Sequence, residues 1–278
     1  AGIYPVGMKI AADHFQQGLG RSLGFLVGAL VLGTSFPHLV KSTMAGLNWE
    51  YVIYSISLLS VAGGLIMQVT VPDGPFRKPG NKLKLTAFTV AFRNKNFRSA
   101  AFGYFGHMWE LYAFWAFVPV MLAANKTHYQ TGIDISFLSF MIIACGGAAC
   151  VLGGLVSRHV GAKKIATVSL FLSCTCCLLS PFFLFSSSVP LLTGFLLFWG
   201  LVVIADSPMF STLVAQNVAE ELKGTALTLV NCIGFSITII SIQVIKSFAA
   251  VITPRYLYML LAFGPLLGLI ALRKNKNT

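Results

Sequence analysis

The chain has 278 residues, of which 56% are hydrophobic and only 10% are charged. Water-soluble domains carry charge on about 25% of their residues, so this composition excludes an ordinary soluble protein. The net charge of +12 would suit a nucleic-acid partner, but the distribution of the basic residues indicates membrane topology and no nucleic-acid partner.

Long apolar stretches follow one another along the sequence. Each contains about 17–26 residues, which is enough for a helix to cross a hydrocarbon core of about 30 Å. Lipid offers no partner to an unpaired backbone group, so each stretch is predicted to be helical. The eight predicted spans are Leu23–Val40, Tyr51–Val71, Ser99–Ala124, Ile133–Val156, Ile165–Phe185, Leu191–Val214, Thr225–Ile245 and Tyr256–Leu272. The sequence therefore predicts an all-α polytopic membrane protein.

The first residues, 1–12, are apolar but too few to span a membrane, and they lack an initiating methionine. We expect them to be the end of a truncated helix that begins upstream. Residues 72–97 form the longest polar connection and divide the chain into two unequal groups, 1–71 and 98–278. Two interpretations of this connection are open: a hinge between the groups, or a solvated tether.

Basic residues are unequally divided between the two sides that the predicted spans define. Sixteen of the 20 Lys and Arg residues fall on the side that includes the connection 72–97 and the C-terminus, and the other side has four: Lys41, Lys126, Lys246 and Arg255. Cytoplasmic loops are enriched in Lys and Arg, so we expect the connection and the C-terminus to be cytoplasmic.

One acid lies inside the Ser99–Ala124 span, within the sequence GYFGHMWELYAFWAFVP. A charge at the membrane centre costs roughly 2.5–3.5 kcal/mol on insertion scales, so Glu110 has to face protein or water. His107 precedes it by three residues, and the two side chains can form a hydrogen bond across one turn. We interpret them as a proton-carrying or solute-binding unit, with Tyr104 and Phe114 as neighbouring binding residues. A structural pair that locks the helix to a neighbour is the alternative.

A second acid, Asp206, lies in the Leu191–Val214 span just before Pro208. The proline frees the carbonyl of Ile204, which only protein or water can then satisfy. A broken helix beside an acid is typical of transporter solute sites, and a cap on the kink is the alternative. Asn231 is a further candidate, although hydrogen bonding between helices also explains it. A carboxylate metal site needs a second His–Glu pair, so neither a metal nor another cofactor is predicted.

Three groups of segments resemble a known family: AGIYPVGMKIAADHF with GRSLGFLVGALVLGTSFPHL, GHMWELYAFWAFVP, and ADSPMFSTLVAQN with GTALTLVNCIGFSITI. They resemble bacterial major facilitator superfamily (MFS) transporters of the uncharacterised, cyanate-permease-like type, over essentially the whole chain. The resemblance implies a truncated MFS fold. Residues 1–71 would hold the end of helix 4 and helices 5 and 6 of the N-terminal bundle, 72–97 a cytoplasmic linker, and 98–278 the C-terminal bundle of helices 7–12.

In that fold, the resemblance implies that helices 7 and 10, which carry Glu110 and Asp206, line the cavity. It also implies that the charge-free helices 6, 9 and 12 are peripheral. The family's cytoplasmic motif of a glycine, an acid, a base and a glycine has a partial counterpart in GGLVSRHVGAKK. Gly154, Gly161 and Lys163 match by position, whereas Arg158 stands in the place of the acid. The implied gating motif would therefore lack its salt bridge on this half.

The resulting prediction is an MFS permease, a secondary active transporter that moves a small solute across the bilayer by alternating access. Glu110, oriented by His107, is the predicted proton-coupling or solute-binding group, and Asp206 is the second candidate. We expect a monomeric, multi-pass protein of the bacterial inner membrane that is not an enzyme, with proton symport as one option. The alternative is a membrane-embedded sensor or receptor that binds the solute without moving it.

Overall fold

The computed structural model describes residues 3–15, 18–44, 46, 48–77, 91–219 and 222–273, and these residues are helical almost throughout and contain no strand. The helices are α1 (Ile3–His14), α2 (Leu19–Thr43), α3 (Trp49–Thr70), α4 (Lys95–Tyr129), α5 (Ile135–Val160), α6 (Ala162–Phe183), α7 (Val189–Ala205), α8 (Ser207–Gln216), α9 (Lys223–Phe248), α10 (Pro254–Leu257) and α11 (Phe263–Arg273), with a 3-10 turn, Tyr258–Ala262, between the last two. The predicted all-α fold is confirmed.

Seven segments of the described helices are long and apolar enough to cross a membrane: α2, α3, α5, α6, α7 with α8, α9, and α10 with α11. The eighth predicted span lies in α4, which is outside this set because its aromatic, glycine and polar residues are less hydropathic than aliphatic ones. With 35 residues, α4 is about 52 Å long, which is ample to cross a bilayer.

α4 is the central helix of the larger group. It begins after Asn94, whose side chain accepts hydrogen bonds from the backbone N–H groups of Asn96 and Phe97 and so satisfies donors that a helix start leaves unpaired. It approaches α11 closely at Gly106: a side chain there would collide with the carbonyl oxygen of Gly264. About half of the residues of α4 are buried. Ionisable side chains inside it can therefore be surrounded by protein.

α2 and α5 cross at close range through glycines. A Cβ on Gly24 would lie 2.7 Å from the carbonyl oxygen of Cys150, and a Cβ on Gly154 would lie 3.2 Å from the Cα of Gly24. At the other end of the pair, Ser42 donates a 2.5 Å hydrogen bond to Asp134, which precedes the first residue of α5. The two helices are therefore antiparallel, and the start of α2 lies beside the end of α5.

The charge-free spans differ in how far they are buried. α3 has no buried residue, and an apolar helix without a buried face suits contact with lipid. α6 buries one face, which includes Ser173 and Cys177. α6 corresponds to helix 9 of the family, for which the resemblance implies a peripheral position. Only the outer face of α6 is peripheral, because its other face is buried.

The predicted linker, 72–97, is described in part, because residues 78–90 lie outside the described residues. The backbone N–H of Phe76 donates to the carbonyl of Asp13 at 3.0 Å. This bond fixes the start of the connection against the end of α1. The choice between hinge and tether stays a prediction.

Candidate functional site

Two buried acids occupy the interior of the helix group, one on α4 and one at the junction of α7 and α8. Glu110 is 1% exposed and Asp206 is 0% exposed. By the helical rise, Glu110 lies roughly 22 Å from the start of α4, well inside a membrane-spanning helix. Both acids face protein, which confirms the prediction that lipid does not surround them.

Glu110 is held by three neutral donors from two neighbouring helices. Trp199 of α7 donates its indole N–H to Oε1 at 2.7 Å. On α6, the thiol of Cys177 lies 3.2 Å from the same oxygen, and Ser173 donates to Oε2 at 2.9 Å. All three donor side chains are buried. The carboxyl group therefore links α4, α6 and α7, and it joins none of the ion pairs found among the described residues.

The predicted hydrogen bond between His107 and Glu110 is not formed. Nδ1 of His107 instead lies 2.8 Å from Oδ1 of Asp206, and both side chains are buried. Three residues rotate a side chain by about 300° around the helix axis, so the two positions can contact different neighbours. The prediction that His107 orients Glu110 was wrong, because the histidine pairs with the second acid.

The His107–Asp206 pair retains unused hydrogen-bonding atoms. Within the described part of the chain, Nε2 of His107 and both carboxyl oxygens of Asp206 have no hydrogen-bond partner, so the 2.8 Å approach of Nδ1 to Oδ1 is a close contact without hydrogen-bond alignment. Two aromatic rings flank the imidazole, with centroid distances of 5.9 Å to Tyr104 and 6.1 Å to Phe210. An unpaired buried polar group costs about 1–3 kcal/mol. The pair can therefore accept a water molecule, a proton or a polar group of a solute.

Tyr104 and Asn231 extend this polar region. The Tyr104 hydroxyl donates to Oδ1 of Asn231 at 2.6 Å in a buried contact, and Nδ2 of Asn231 has no partner among the residues that the structure describes. We call Tyr104, His107, Asp206, Phe210 and Asn231 the central cluster. No group of three or more His, Cys, Asp or Glu side chains in the described ranges could hold a metal ion. The free imidazole nitrogen, carboxyl oxygen and amide nitrogen of the cluster are groups that can bond to a proton or to a polar organic group.

Asp206 lies where the helix is interrupted, between α7 and α8. Because Pro208 lacks an N–H, the carbonyl of Ile204 loses its helical partner. The thiol of Cys150, on α5, lies 3.5 Å from that carbonyl oxygen. The prediction that protein or water satisfies this carbonyl is confirmed.

Phe114 packs outside the central cluster and supports Glu110 indirectly. Its ring centroid lies 4.6 Å from that of Trp199, so it positions the indole that donates to the carboxyl group. Sequence reasoning missed all three donors of Glu110. The four-residue spacing of Ser173 and Cys177 places them on one helix face and could have indicated two of them. Nothing comparable in the sequence indicates Trp199.

The four residues of the predicted cytoplasmic motif lie at one end of the structure. Gly154 is at the contact with α2, and Lys163 is the second residue of α6. Gly161 has φ +87° between α5 and α6, a conformation that favours glycine. Nη2 of Arg158 lies 3.9 Å from the position of a Cβ on Gly18, just before α2. The gating role of these residues stays a prediction.

A cavity of about 1290 Å³ opens at the same end. Its described charged lining residues are all basic: Arg21, Arg158, Lys163, Lys164 and Arg273. The lining includes Ala100 of α4, which precedes His107 by seven residues, or about 10 Å along the helix. The cavity therefore reaches to within about two helical turns of His107. We call this end of the structure the basic end.

The fold and the buried polar centre define a polytopic helical membrane protein, and comparison with known proteins identifies its family. The model of the Major Facilitator Superfamily matches residues 1–242. The chain belongs to this superfamily, and that membership points to a membrane transporter rather than an enzyme.

Among solved structures, the human organic anion transporter MFSD10 (TETRAN) is similar, with a TM-score of 0.76 and 16% sequence identity. The similarity covers 97% of this chain and 67% of that chain. At this identity the likeness shows the fold alone. No protein with a curated description matches the sequence.

Proposed function

We propose that the protein is a secondary active transporter that moves a small solute by alternating access, with the central cluster coupling solute movement to protons. The observation that carries this proposal is the fully buried His107–Asp206 pair with its unused atoms. A buried ion pair retained for stability alone gains little over apolar packing. A pair that also keeps a free nitrogen and a free oxygen is suited to exchanging a proton.

In the proposed mechanism, protonation of Asp206 removes the negative partner of His107. The attraction between α4 and the α7–α8 junction then weakens, and loss of the proton restores it. Tyr104 and Asn231 adjoin this contact, and the free Nδ2 of Asn231 is the proposed donor to the solute. Solute binding and the protonation state of the pair thereby influence the same helix contact.

Glu110 has a different place in this mechanism. Because three donors already occupy its oxygens, it holds α4, α6 and α7 together as one unit. It is the second proposed ionisable group, and it would exchange a proton only if the donors separated from it. The neighbouring Phe114 keeps Trp199 in the donating position.

The proposed moving interface is the glycine crossing between α2 and α5. α2 belongs to the 1–71 group and α5 to the 98–278 group, so this contact joins the two implied bundles. Its closest contacts are between backbones at Gly24 and Gly154, and surfaces without interlocking side chains can slide. We assign the basic end and the C-terminus to the cytoplasm of a bacterial cell, with the protein acting as a monomer.

The test begins with a counterflow screen of the full-length protein in proteoliposomes. The panel contains small carboxylates, cyanate-like anions, other organic anions, sugars and amino acids. It covers the permease type that the sequence resembles and the anions named for the similar human transporter. Saturable exchange of one solute would support transport. Saturable binding without flux would contradict transport and support the alternative, a sensor or receptor that binds the solute without moving it.

Uptake of that solute is then measured with and without an inward proton gradient. Asp206→Asn and His107→Gln are expected to abolish stimulation by the gradient while leaving solute exchange measurable. Glu110→Gln is compared with them, and Asp13→Asn, which alters a pair at the surface, is the matched control. Wild-type stimulation in both central variants would contradict coupling through the cluster.

A further inference from the structure

The cavity at the basic end is lined by several basic side chains, which membrane topology alone does not place in one concave space. Cations near the ends of cytoplasmic loops are expected, but here five of them line one concave space of about 1290 Å³. No carboxylate occurs among the described lining residues. Concave sites lined by one sign of charge concentrate ions of the opposite sign. The cavity is therefore complementary to an anion.

The positions of the cations on their helices strengthen this conclusion. Arg158 and Arg273 lie in the last turns of α5 and α11, where a cation complements the helix dipole. Arg21 and Lys164 lie in the first turns of α2 and α6, where the dipole already places positive charge. A cation in a first turn is unfavourable unless negative charge is also present.

The two helix starts do not supply that negative charge themselves. Neither α2 nor α6 has an acid in its first turn, and neither has a side-chain cap. The residues that precede them, Gly18 and Gly161, have no side chain to accept the free N–H groups. The guanidinium of Arg158 lies close to Gly18 and adds a further cation at the start of α2. An anion in the cavity would complement both helix starts and the basic side chains together.

The remaining walls indicate what else such a ligand carries. Leu269 and Leu272 of α11 line the cavity together with Val168 and Phe171 of α6. Val168 is 49% exposed and Phe171 is 59% exposed, so α6 extends the apolar wall onto the outer surface of the structure. An apolar chain attached to the anion can follow this wall.

We infer that the cavity binds a phosphate group, either of a lipid headgroup or of a soluble phosphate compound. A phosphate has several oxygens and can accept from both helix starts and from more than one basic side chain. The inference does not depend on transport, because it concerns occupancy of a site beside the glycine crossing. A phosphate bound between α2, α5 and α6 would hold the basic end of the crossing closed.

The experiment compares two probes on the purified full-length protein in a neutral detergent. Dioctanoyl phosphatidic acid carries the phosphate with short acyl chains, and glycerol 3-phosphate carries it without them. The dissociation constant of each is read from the saturable rise in the thermal unfolding midpoint. Dioctanoylglycerol, which has the same acyl chains and no phosphate, tests whether the acyl chains alone are sufficient.

We expect saturable stabilisation by phosphatidic acid and none by dioctanoylglycerol, and equal stabilisation by the two would overturn the inference. Lys164→Gln and Arg158→Gln alter exposed side chains, and each is expected to weaken binding about fivefold, the effect of one basic residue near a phosphate surface. Lys41→Gln, at the opposite end of α2, is the matched control and should leave binding unchanged.

Equal stabilisation by glycerol 3-phosphate would identify a soluble phosphate as sufficient, and stabilisation by phosphatidic acid alone would identify a lipid; both results support the site. Absence of a saturable shift with either probe would overturn the inference. Unchanged affinity in both Lys164→Gln and Arg158→Gln would overturn it as well.

Discussion

The two buried carboxyl groups are stabilised in different ways, and the difference separates their proposed functions. Glu110 accepts from a tryptophan, a cysteine and a serine, a neutral set that occupies its oxygens. Asp206 faces one imidazole and keeps a free oxygen. A saturated carboxyl group fixes helices in place, whereas an incompletely bonded one can take up a partner. Glu110 and His107, the partner of Asp206, lie only three residues apart on α4.

Replacing Trp199 with phenylalanine should destabilise the protein through Glu110. The phenyl ring keeps an aromatic group beside Phe114 but is smaller than the indole, and it removes the N–H that donates to Oε1. Loss of one partner of a buried polar group costs about 1–3 kcal/mol. The measurement is the thermal unfolding midpoint of the full-length protein in detergent. Trp49→Phe, at a position 70% exposed, is the control and should leave the midpoint unchanged; equal midpoints for the two variants would contradict the contact.

The sequence predicts that both acids are buried but not which groups surround them. Burial follows from the cost of exposing a charge to lipid, which holds whatever the fold. The partners depend on packing between distant segments: Trp199 is 89 residues from Glu110. For His107, the acid three residues away was the natural expectation. The interhelical contact with Asp206 could not be predicted, because it depends on how the α7–α8 junction packs against α4.

At the level of elements, the glycine crossing of α2 and α5 provides a direct comparison within one helix. Gly24→Ala should destabilise the protein by about 1–3 kcal/mol, because the new methyl group would overlap the backbone of α5 at Cys150. Gly33→Ala is the control, since a Cβ there has no atom within 4 Å and alanine favours helix. Free energies of unfolding in a denaturing detergent titration test this. Equal losses in the two variants would show that the backbones at Gly24 and Cys150 lie far enough apart to admit a methyl group.

The start of α5 should contribute stability in a pH-dependent way. Asp134 accepts from Ser42 and from the backbone N–H groups of Ser136 and Phe137, and the bond from Ser42, followed by that from Phe137, lowers the pKa of this carboxyl. A lowered folded-state pKa adds stability above the unfolded-state pKa of about 4 and loses it as the pH falls through the folded value.

Asp134→Asn should therefore be less stable than the native protein at neutral pH, and the difference should begin to shrink as the pH falls below about 4. Because the side chain is largely exposed to solvent, we expect a difference below about 1 kcal/mol. Thermal unfolding midpoints of both proteins between pH 7 and pH 3 measure it. Asp73→Asn, which alters an exposed ion pair in the described start of the 72–97 connection, controls for general charge effects. A constant difference across this pH range would refute the assignment.

The sequence predicted where helices occur better than it predicted the contacts that they make with one another. Apolar length alone placed a helix at every predicted span, since a helix pairs all its backbone groups within the one segment that crosses the lipid. The hydropathy of α4 is modest because its aromatic and polar residues serve contacts with other helices, as Trp199 and Ser173 show at Glu110. The interruption at Asp206 was indicated by Pro208, whose missing N–H is a local property. Its compensation by the Cys150 thiol was not predictable, because that cysteine lies on another helix.

For the molecule as a whole, composition predicted a polytopic helical protein, while the arrangement of its helices needed the family resemblance. Apolar spans of similar composition do not specify which neighbours they contact. Small residues such as Gly24 and Gly154 indicate close packing without naming the partner helix. The basic residues that predicted topology also line the cavity. One uneven distribution of charge therefore accounts for the proposed orientation and for the proposed anion site.

The proposed orientation can be tested at two positions on the antiparallel pair α2 and α5. Thr43 ends α2 beside the Ser42–Asp134 contact, and His159 lies near the end of α5 at the basic end. Both residues are exposed. The positive-inside rule places the basic end in the cytoplasm. In cells that make a Cys232→Ser version of the full-length protein, Thr43→Cys should react with a membrane-impermeant maleimide in intact cells.

His159→Cys should react with the same reagent only after the membrane is permeabilised. The background version without an added cysteine is the control, and the five other cysteines of the chain described here are at most partly exposed. The reverse labelling pattern would place the basic cavity outside the cell. In that case the charge asymmetry would have to be explained by ligand binding alone, because a basic outer surface opposes the usual insertion preference.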